Sequence, residues 1–128
     1  MTDKTQGSDA TTTLAALKAD VAKFCSDRDW DQFHGAKDLA IGLVTEGSEL
    51  LELFRFRTDD QVREILDSPE TRSRIGAELS DSLFFVLRFA QRFDFDLSKV
   101  FRQKMTENSS KYPVERSRGK NAKYDELE

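Results

Sequence analysis

The chain has 128 residues, a formal net charge of −4 and a single cysteine, Cys25. This length fits one domain with a helical core, and the acidic balance argues against a nucleic-acid surface, which is normally basic. One cysteine excludes an internal disulfide, no apolar run approaches the ~20 residues of a membrane span, and the polar N-terminus lacks the features of a secretion signal, so we expect a cytoplasmic protein.

The first part of the chain predicts a helix followed by an aromatic loop. Residues 1–11 are polar and lack hydrophobic periodicity, so we expect a disordered lead-in before a domain that spans residues 12–112. The first helix begins after Thr12 or Thr13 and carries apolar residues on one face, namely Leu14, Leu17, Val21 and Phe24. The loop that follows contains Trp30, Phe33 and His34 among charged residues. Such aromatic side chains either stack on a planar ligand or cap the core, and the residues alone leave both interpretations open.

The stretch from Leu39 to Phe56 predicts a second helix that carries carboxylates on its apolar side. Apolar residues recur there at three- and four-residue steps, which is the period of a helix packed against a core. Glu46 projects into the apolar arc, and Glu49 lies at its edge. Because an ionised carboxylate is costly to bury unless it is paired or bound to a metal, we expect a partner elsewhere in the chain.

A later helix repeats this arrangement. The sequence Ser68-Pro69-Glu70 is typical of a helix start, and the helix that follows carries Glu78 and Asp81 at the same three-residue spacing. Two such pairs on facing helices would place four carboxylates around one point. An all-oxygen cluster of this kind is typical of Mg²⁺, which also takes waters and substrate phosphates as ligands.

The remaining segments complete an all-α prediction. A short helix begins at Thr58 or Asp59, and a last helix begins at Asp96 or Ser98 and ends before Pro113. The apolar face of the last helix is continued by three donors, Lys104, Asn108 and Lys111. Residues 113–128 form a charged tail that we expect to be mobile, and no segment shows strand-like alternation of useful length.

These residues match the parts of a nucleotide. A metal held by carboxylates polarises phosphate oxygens, cationic and amide donors neutralise phosphate charge, and a ring such as Trp30 or Phe56 stacks on the base. Hydrolysis of a phosphoanhydride then requires a water that a carboxylate left free of metal can deprotonate.

Two alternatives from other classes remain. A ferritin-like di-iron bundle needs Glu-x-x-His motifs on two helices, and the only histidine, His34, is in neither acidic helix. A non-catalytic helical scaffold would instead pair the buried acids with Lys104, Arg88 or Arg92.

The spacing of the acids resembles a known signature. Glu46-x-x-Glu49, a gap of 28 residues and Glu78-x-x-Asp81 are similar to the metal-binding motif of the MazG-like nucleotide pyrophosphohydrolases. The segments SDRDWDQFH, EGSELLELF, AELSDSLFFVL and KMTENSSKYP resemble in particular the dCTP pyrophosphatase branch of that family. The resemblance runs from about Leu14 to Tyr124.

The resemblance implies a helical bundle that assembles as a homo-oligomer, a dimer or a dimer of dimers. It implies Mg²⁺-dependent cleavage of a dNTP, with dCTP or a modified dCTP preferred, to dNMP and pyrophosphate. The metal ligands and catalytic residues would be Glu46, Glu49, Glu78 and Asp81. The substrate-binding residues would be Lys104, Asn108, Lys111 and Tyr112 at the phosphates, and Trp30, Phe56 and Phe85 toward the base.

Three positions depart from the pattern of the family. Val21 stands where some relatives carry a histidine, Phe56 stands where a tryptophan is expected, and His34-Gly-Ala-Lys-Asp38 replaces the usual HxPRN. These departures concern the base pocket and leave the four carboxylates intact.

Overall fold

Eight helical segments make up the secondary structure of residues 7–127, which are the residues that this computed structural model describes. The α-helices are α1 (Leu14–Asp27), α2 (Ala36–Glu52), α3 (Asp59–Asp67), α4 (Pro69–Arg92), α5 (Leu97–Lys111) and α6 (Val114–Ser117). Two short 3₁₀ turns cover Asp31–Phe33 and Tyr124–Glu126. No strand occurs within 7–127, so the all-α prediction is confirmed. Most of the lead-in expected at residues 1–11 lies outside the described part, which begins with a turn over residues 9–11.

Side-chain caps start the helices where the sequence predicts. The Thr13 hydroxyl accepts a hydrogen bond of 3.1 Å from a first-turn amide of α1, and the Asp96 carboxylate accepts one of 3.0 Å in α5. Thr58 and Gln61 form a reciprocal capping box at the start of α3, and Pro69 occupies the first turn of α4. Each cap satisfies backbone donors that a helix leaves unpaired at its N-terminus.

Helix α4 is the element against which α1, α2 and α3 pack. The buried apolar side chains come from three of these helices: Val21 and Cys25 of α1, Leu39 of α2, and Ile75, Leu87 and Ala90 of α4. The chain divides into two compact units, one ending at Asp94 and one beginning at Phe95. The second unit contains α5, α6 and the Tyr124–Glu126 turn. No helix among residues 7–127 is long and apolar enough to cross a membrane.

The predicted end of α2 is wrong. The helix ends at Glu52 rather than Phe56. The backbone N–H groups of Phe54 and Arg57 then donate to the carbonyl three residues earlier, which makes tighter turns than those of an α-helix. Phe56 then takes a left-handed backbone conformation, with φ of 63°. The physical reason lies just downstream, because the capping box that begins α3 requires an extended Thr58 (φ −74°, ψ 164°) and therefore a break in the helix before it.

Candidate active site

Three of the predicted carboxylates converge between α2 and α4. One carboxylate oxygen each from Glu46, Glu78 and Asp81 lies within 4.8 Å of the others. Glu78 and Asp81 are three residues apart on α4, so they project from the same side of that helix. Glu46 reaches them from α2, which packs along α4. The cluster therefore depends on the packing of these two helices.

A glycine permits the close approach of the two helices. Gly42 lies one turn before Glu46 on α2 and faces Phe85, which lies one turn after Asp81 on α4. A Cβ atom added at Gly42 would overlap the Phe85 ring. The Phe85 ring also contacts Phe84 edge-on, with ring centroids 5.3 Å apart. The contact between Gly42 and Phe85 thus sets the distance between the helices next to the carboxylates.

The carboxyl group of Glu46 is surrounded by like charges. The pKa of Glu46 is raised above the ordinary value of a glutamate, first by loss of solvent and then by the nearby carboxylates of Asp81, Glu78 and Glu49. Glu49 is outside the group that lies within 4.8 Å, yet its charge acts on Glu46. A divalent cation bound at this point would convert the repulsion into attraction, so the site suits a metal.

The aromatic loop between α1 and α2 packs against its neighbours and remains partly exposed. The Trp30 ring packs edge-on against Phe24 and His34, with centroids 5.5 Å and 6.1 Å away, and still leaves 38% of the residue exposed. Phe33 is more exposed than Trp30. Trp30 is therefore anchored by packing while part of its surface remains accessible to a ligand.

A network around a buried arginine was not predicted from the sequence. Arg88 of α4 is 1% exposed and forms an ion pair with Asp31, whereas Arg92 donates a 3.0 Å hydrogen bond to the Asp31 carbonyl. The scaffold interpretation predicted that these arginines would pair with the acidic cluster, and the observed contacts instead join them to the aromatic loop. The sequence carries no local signal for this arrangement, because the partner of Arg88, Asp31, is 57 residues away.

The other predicted substrate residues have the following contacts. Phe56 is 89% exposed and its ring is covered on one side by the Arg55 guanidinium, 4.4 Å from the ring centroid. In the second unit, Lys104 and Lys111 both pair with Glu107, at 3.2 Å and 3.5 Å. Asn108 is half-buried, and Tyr112 contacts Tyr124 edge-on with centroids 6.2 Å apart. Their substrate-binding roles stay predictions.

Known proteins resemble this chain in both sequence and fold. The MazG-like family matches residues 42–127. The chain is 38% identical to dCTP pyrophosphatase 1 of Bos taurus over 115 residues, and 37% identical to dCTP pyrophosphatase 1 of Homo sapiens over the same length. Each match covers 90% of this chain and 68% of the relative. The crystal structure of a pyrophosphatase from Archaeoglobus fulgidus is similar with a TM-score of 0.74 and 26% identity, over 84% of this chain and 99% of that one. The predicted helical bundle is confirmed by this structural similarity.

Proposed function

This chain belongs to the MazG-like family, and from that premise we propose that it hydrolyses a deoxynucleoside triphosphate to dNMP and pyrophosphate in the presence of Mg²⁺. The relatives are named dCTP pyrophosphatases and the structural neighbour is a pyrophosphatase, which supports a nucleoside triphosphate pyrophosphatase as the class of enzyme. The preference for dCTP, or for a dCTP with a modified base, follows the names of the relatives. The observation that carries the proposal is the convergence of Glu46, Glu78 and Asp81.

The donor set fits Mg²⁺. All three groups supply hard carboxylate oxygens, which are the ligands that this ion takes in proteins. Opposite ligands of an octahedral Mg²⁺ lie about 4.2 Å apart. Oxygen atoms within 4.8 Å of one another therefore need only small side-chain rotations to share one ion.

We assign two different roles to the four carboxylates. Glu46, Glu78 and Asp81 hold the metal, which when bound polarises phosphate oxygens and lowers the pKa of a coordinated water. Glu49 lies outside the converged group and is the carboxylate that accepts the proton of the attacking water. Addition of that water breaks the phosphoanhydride bond between the α and β phosphates, and the products are dNMP and pyrophosphate.

The remaining parts of the substrate are assigned to the residues that the family resemblance indicates. Trp30 stacks on the base, and its accessible ring surface supports this role. Phe56 and Phe85 complete the base pocket. The phosphates are bound by three residues of α5 and the residue that follows it: Lys104 and Lys111 neutralise their charge, and Asn108 and Tyr112 donate hydrogen bonds. The enzymatic domain spans residues 12–112, followed by a tail.

A homo-oligomer, a dimer or a dimer of dimers, is the assembly that we propose. Large apolar side chains of α2 and α4 are exposed, including Ile41, Val44, Leu51, Leu79 and Leu83. On α2, Ile41, Val44 and Leu51 recur at the spacing of one helix face, and apolar faces left in water often mark interaction surfaces. A second copy that covered these faces would bury the apolar residues that a single chain leaves in water.

A pyrophosphate-release screen over the canonical and 5-modified dNTPs, with Mg²⁺ or with chelator, tests the proposed function. We expect release with Mg²⁺ only, with dCTP or its modified forms as the best substrates. Glu78→Gln should abolish release, whereas Glu64→Gln, which removes a carboxylate from the outer surface of α3, should not. Activity that persists in chelator or in Glu78→Gln would remove the metal site from the mechanism.

A further inference from the structure

Arg88 is a fully buried cation with several partners. Its Nε donates to His34 Nδ1 at 2.9 Å, its Nη1 donates to Gln91 Oε1 at 2.6 Å, and its Nη2 donates to Asp31 Oδ1. An uncompensated buried charge is strongly destabilising, and the planar guanidinium satisfies three acceptors at once, which a lysine ammonium cannot do with the same geometry. Asp31, which pairs with Arg88, loses less of its hydration on folding, because its side chain remains 49% exposed.

The partners of Arg88 join one helix to one loop. Gln91 is on α4 itself, whereas Asp31 and His34 lie 57 and 54 residues earlier, in the segment between α1 and α2. Arg92, one turn further along α4, donates to the backbone carbonyl of Asp31. Two arginines of α4 therefore hold the same short segment. Arg88 binds side chains of that segment, and Arg92 binds its backbone.

Trp30 is fixed on both sides by this arrangement. Its backbone N–H donates to the Cys25 carbonyl at the end of α1, at 3.0 Å. The residue that follows it is Asp31, which both arginines bind, and its ring packs against His34, which Arg88 also binds. The position of the Trp30 ring therefore depends on α4 through Asp31 and His34.

We propose that Arg88 is a positioning residue, which holds Trp30 at a set distance from the carboxylate cluster so that a nucleotide base can stack on its exposed ring. Arg88 lies seven residues after Asp81, about 10 Å along α4. Helix α4 thus carries two of the acids that would meet the phosphates of a substrate, Glu78 and Asp81, and also the guanidinium that holds the segment of Trp30. This inference rests on the proposed function for its kinetic consequence, and its structural part can be tested without turnover.

The single tryptophan makes the structural part directly measurable. Trp30 is the only tryptophan in the chain, so time-resolved fluorescence anisotropy of the metal-free, substrate-free protein reports its motion alone. We expect Arg88→Met to add a fast depolarising motion that the wild type lacks. Arg63→Met is the matched control, because Arg63 forms an exposed ion pair with Asp60 within α3 and should leave the decay unchanged. An unchanged decay in folded Arg88→Met would overturn the proposal.

A double-mutant cycle tests the kinetic part. Stacking on one aromatic ring corresponds to roughly a ten- to hundredfold effect on binding, so Arg88→Met should raise KM by about tenfold and lower kcat less. In a Trp30→Ala background the same substitution should have little further effect on KM, because its effect acts through Trp30. A rise in KM that is equally large in both backgrounds would show that Arg88 acts elsewhere, and would overturn the proposal.

The experiments also distinguish failure of the proposed function from failure of the role of Arg88. If the wild-type chain hydrolyses no dNTP, the proposed function fails, and the anisotropy comparison still decides whether Arg88 holds Trp30. If Arg88→Met does not fold, Arg88→Lys replaces it, since a lysine keeps the charge beside Asp31 and loses the simultaneous hydrogen bonds to His34 and Gln91. Arg88→Lys should then show the added Trp30 motion, and a wild-type decay in that variant would contradict the proposal.

Discussion

Replacing Gly42 by alanine should destabilise the protein and weaken its metal site, although alanine is the better helix former. The added methyl group would overlap the Phe85 ring, which also packs edge-on against Phe84. Overpacking of this kind costs about 1–3 kcal/mol, whereas removing a glycine from a helix interior gains up to about 1 kcal/mol. We therefore expect a net loss in the free energy of unfolding of about 0–3 kcal/mol.

Gly47 offers a matched control on the same helix. No atom of the described residues lies within 4 Å of a Cβ built at Gly47, outside its own neighbours and helix backbone, so Gly47→Ala receives the helix-propensity gain without the overlap. The difference between the two variants isolates the packing cost, about 1–3 kcal/mol. At roughly 4 °C per kcal/mol for a chain of this length, Gly42→Ala should melt about 4–12 °C below Gly47→Ala. The melts are compared by circular dichroism at one protein concentration, because assembly makes Tm depend on concentration.

The same substitution should also reach the carboxylates. The Gly42–Phe85 contact lies one helical turn from Glu46 on α2 and one turn from Asp81 on α4, so pushing the helices apart there separates the ligands. We expect Mg²⁺ affinity, measured by calorimetric titration, to fall by about tenfold, as for other changes that misplace metal ligands. If Gly42→Ala gains as much stability as Gly47→Ala and keeps its Mg²⁺ affinity, the packing of α2 on α4 does not set the site.

Four further outcomes follow from the same site and its surroundings. Glu49→Gln or Glu78→Gln should lower pyrophosphate release at least a hundredfold and leave the helical circular dichroism spectrum of the metal-free protein intact; retention of most activity would exclude that carboxylate from the mechanism. Trp30→Ala should raise KM by roughly ten- to a hundredfold with a smaller fall in kcat, whereas a lowered Tm with unchanged KM would make the ring a core cap only. The pKa of His34 is lowered, first by burial and then by the Arg88 charge, against the opposing effect of Asp31. The unfolded chain therefore binds the proton more readily, so stability should be full above the unfolded pKa of about 6.5 and fall as pH drops below it; denaturant midpoints at neutral and mildly acidic pH should differ less in His34→Asn. Light scattering at micromolar concentration should show a homo-oligomer, and a stable monomer would refute the proposed cover for the apolar faces of α2 and α4.

Helix limits were the part of this protein that the sequence determined most fully. Thr13, Thr58 and Asp96 start their helices as predicted, because capping involves residues within three positions of one another. The same locality explains why Glu78 and Asp81 share a side of α4 and why Glu46 lies on the inner side of α2. The exception is the end of α2 at Glu52, where the demands of the next helix override a continuing apolar period.

Tertiary structure decided which of these local features meet. The packing of α2 on α4 brings Glu46 to Glu78 and Asp81 and leaves Glu49 outside the group. Which carboxylates meet depends on how far each helix is rotated about its axis and shifted along it. The same packing places Gly42 against Phe85. The pairing of Arg88 with Asp31 spans 57 residues. No periodicity encodes that distance, since a helical pattern specifies which face of a segment is buried and not which residues of another segment it meets.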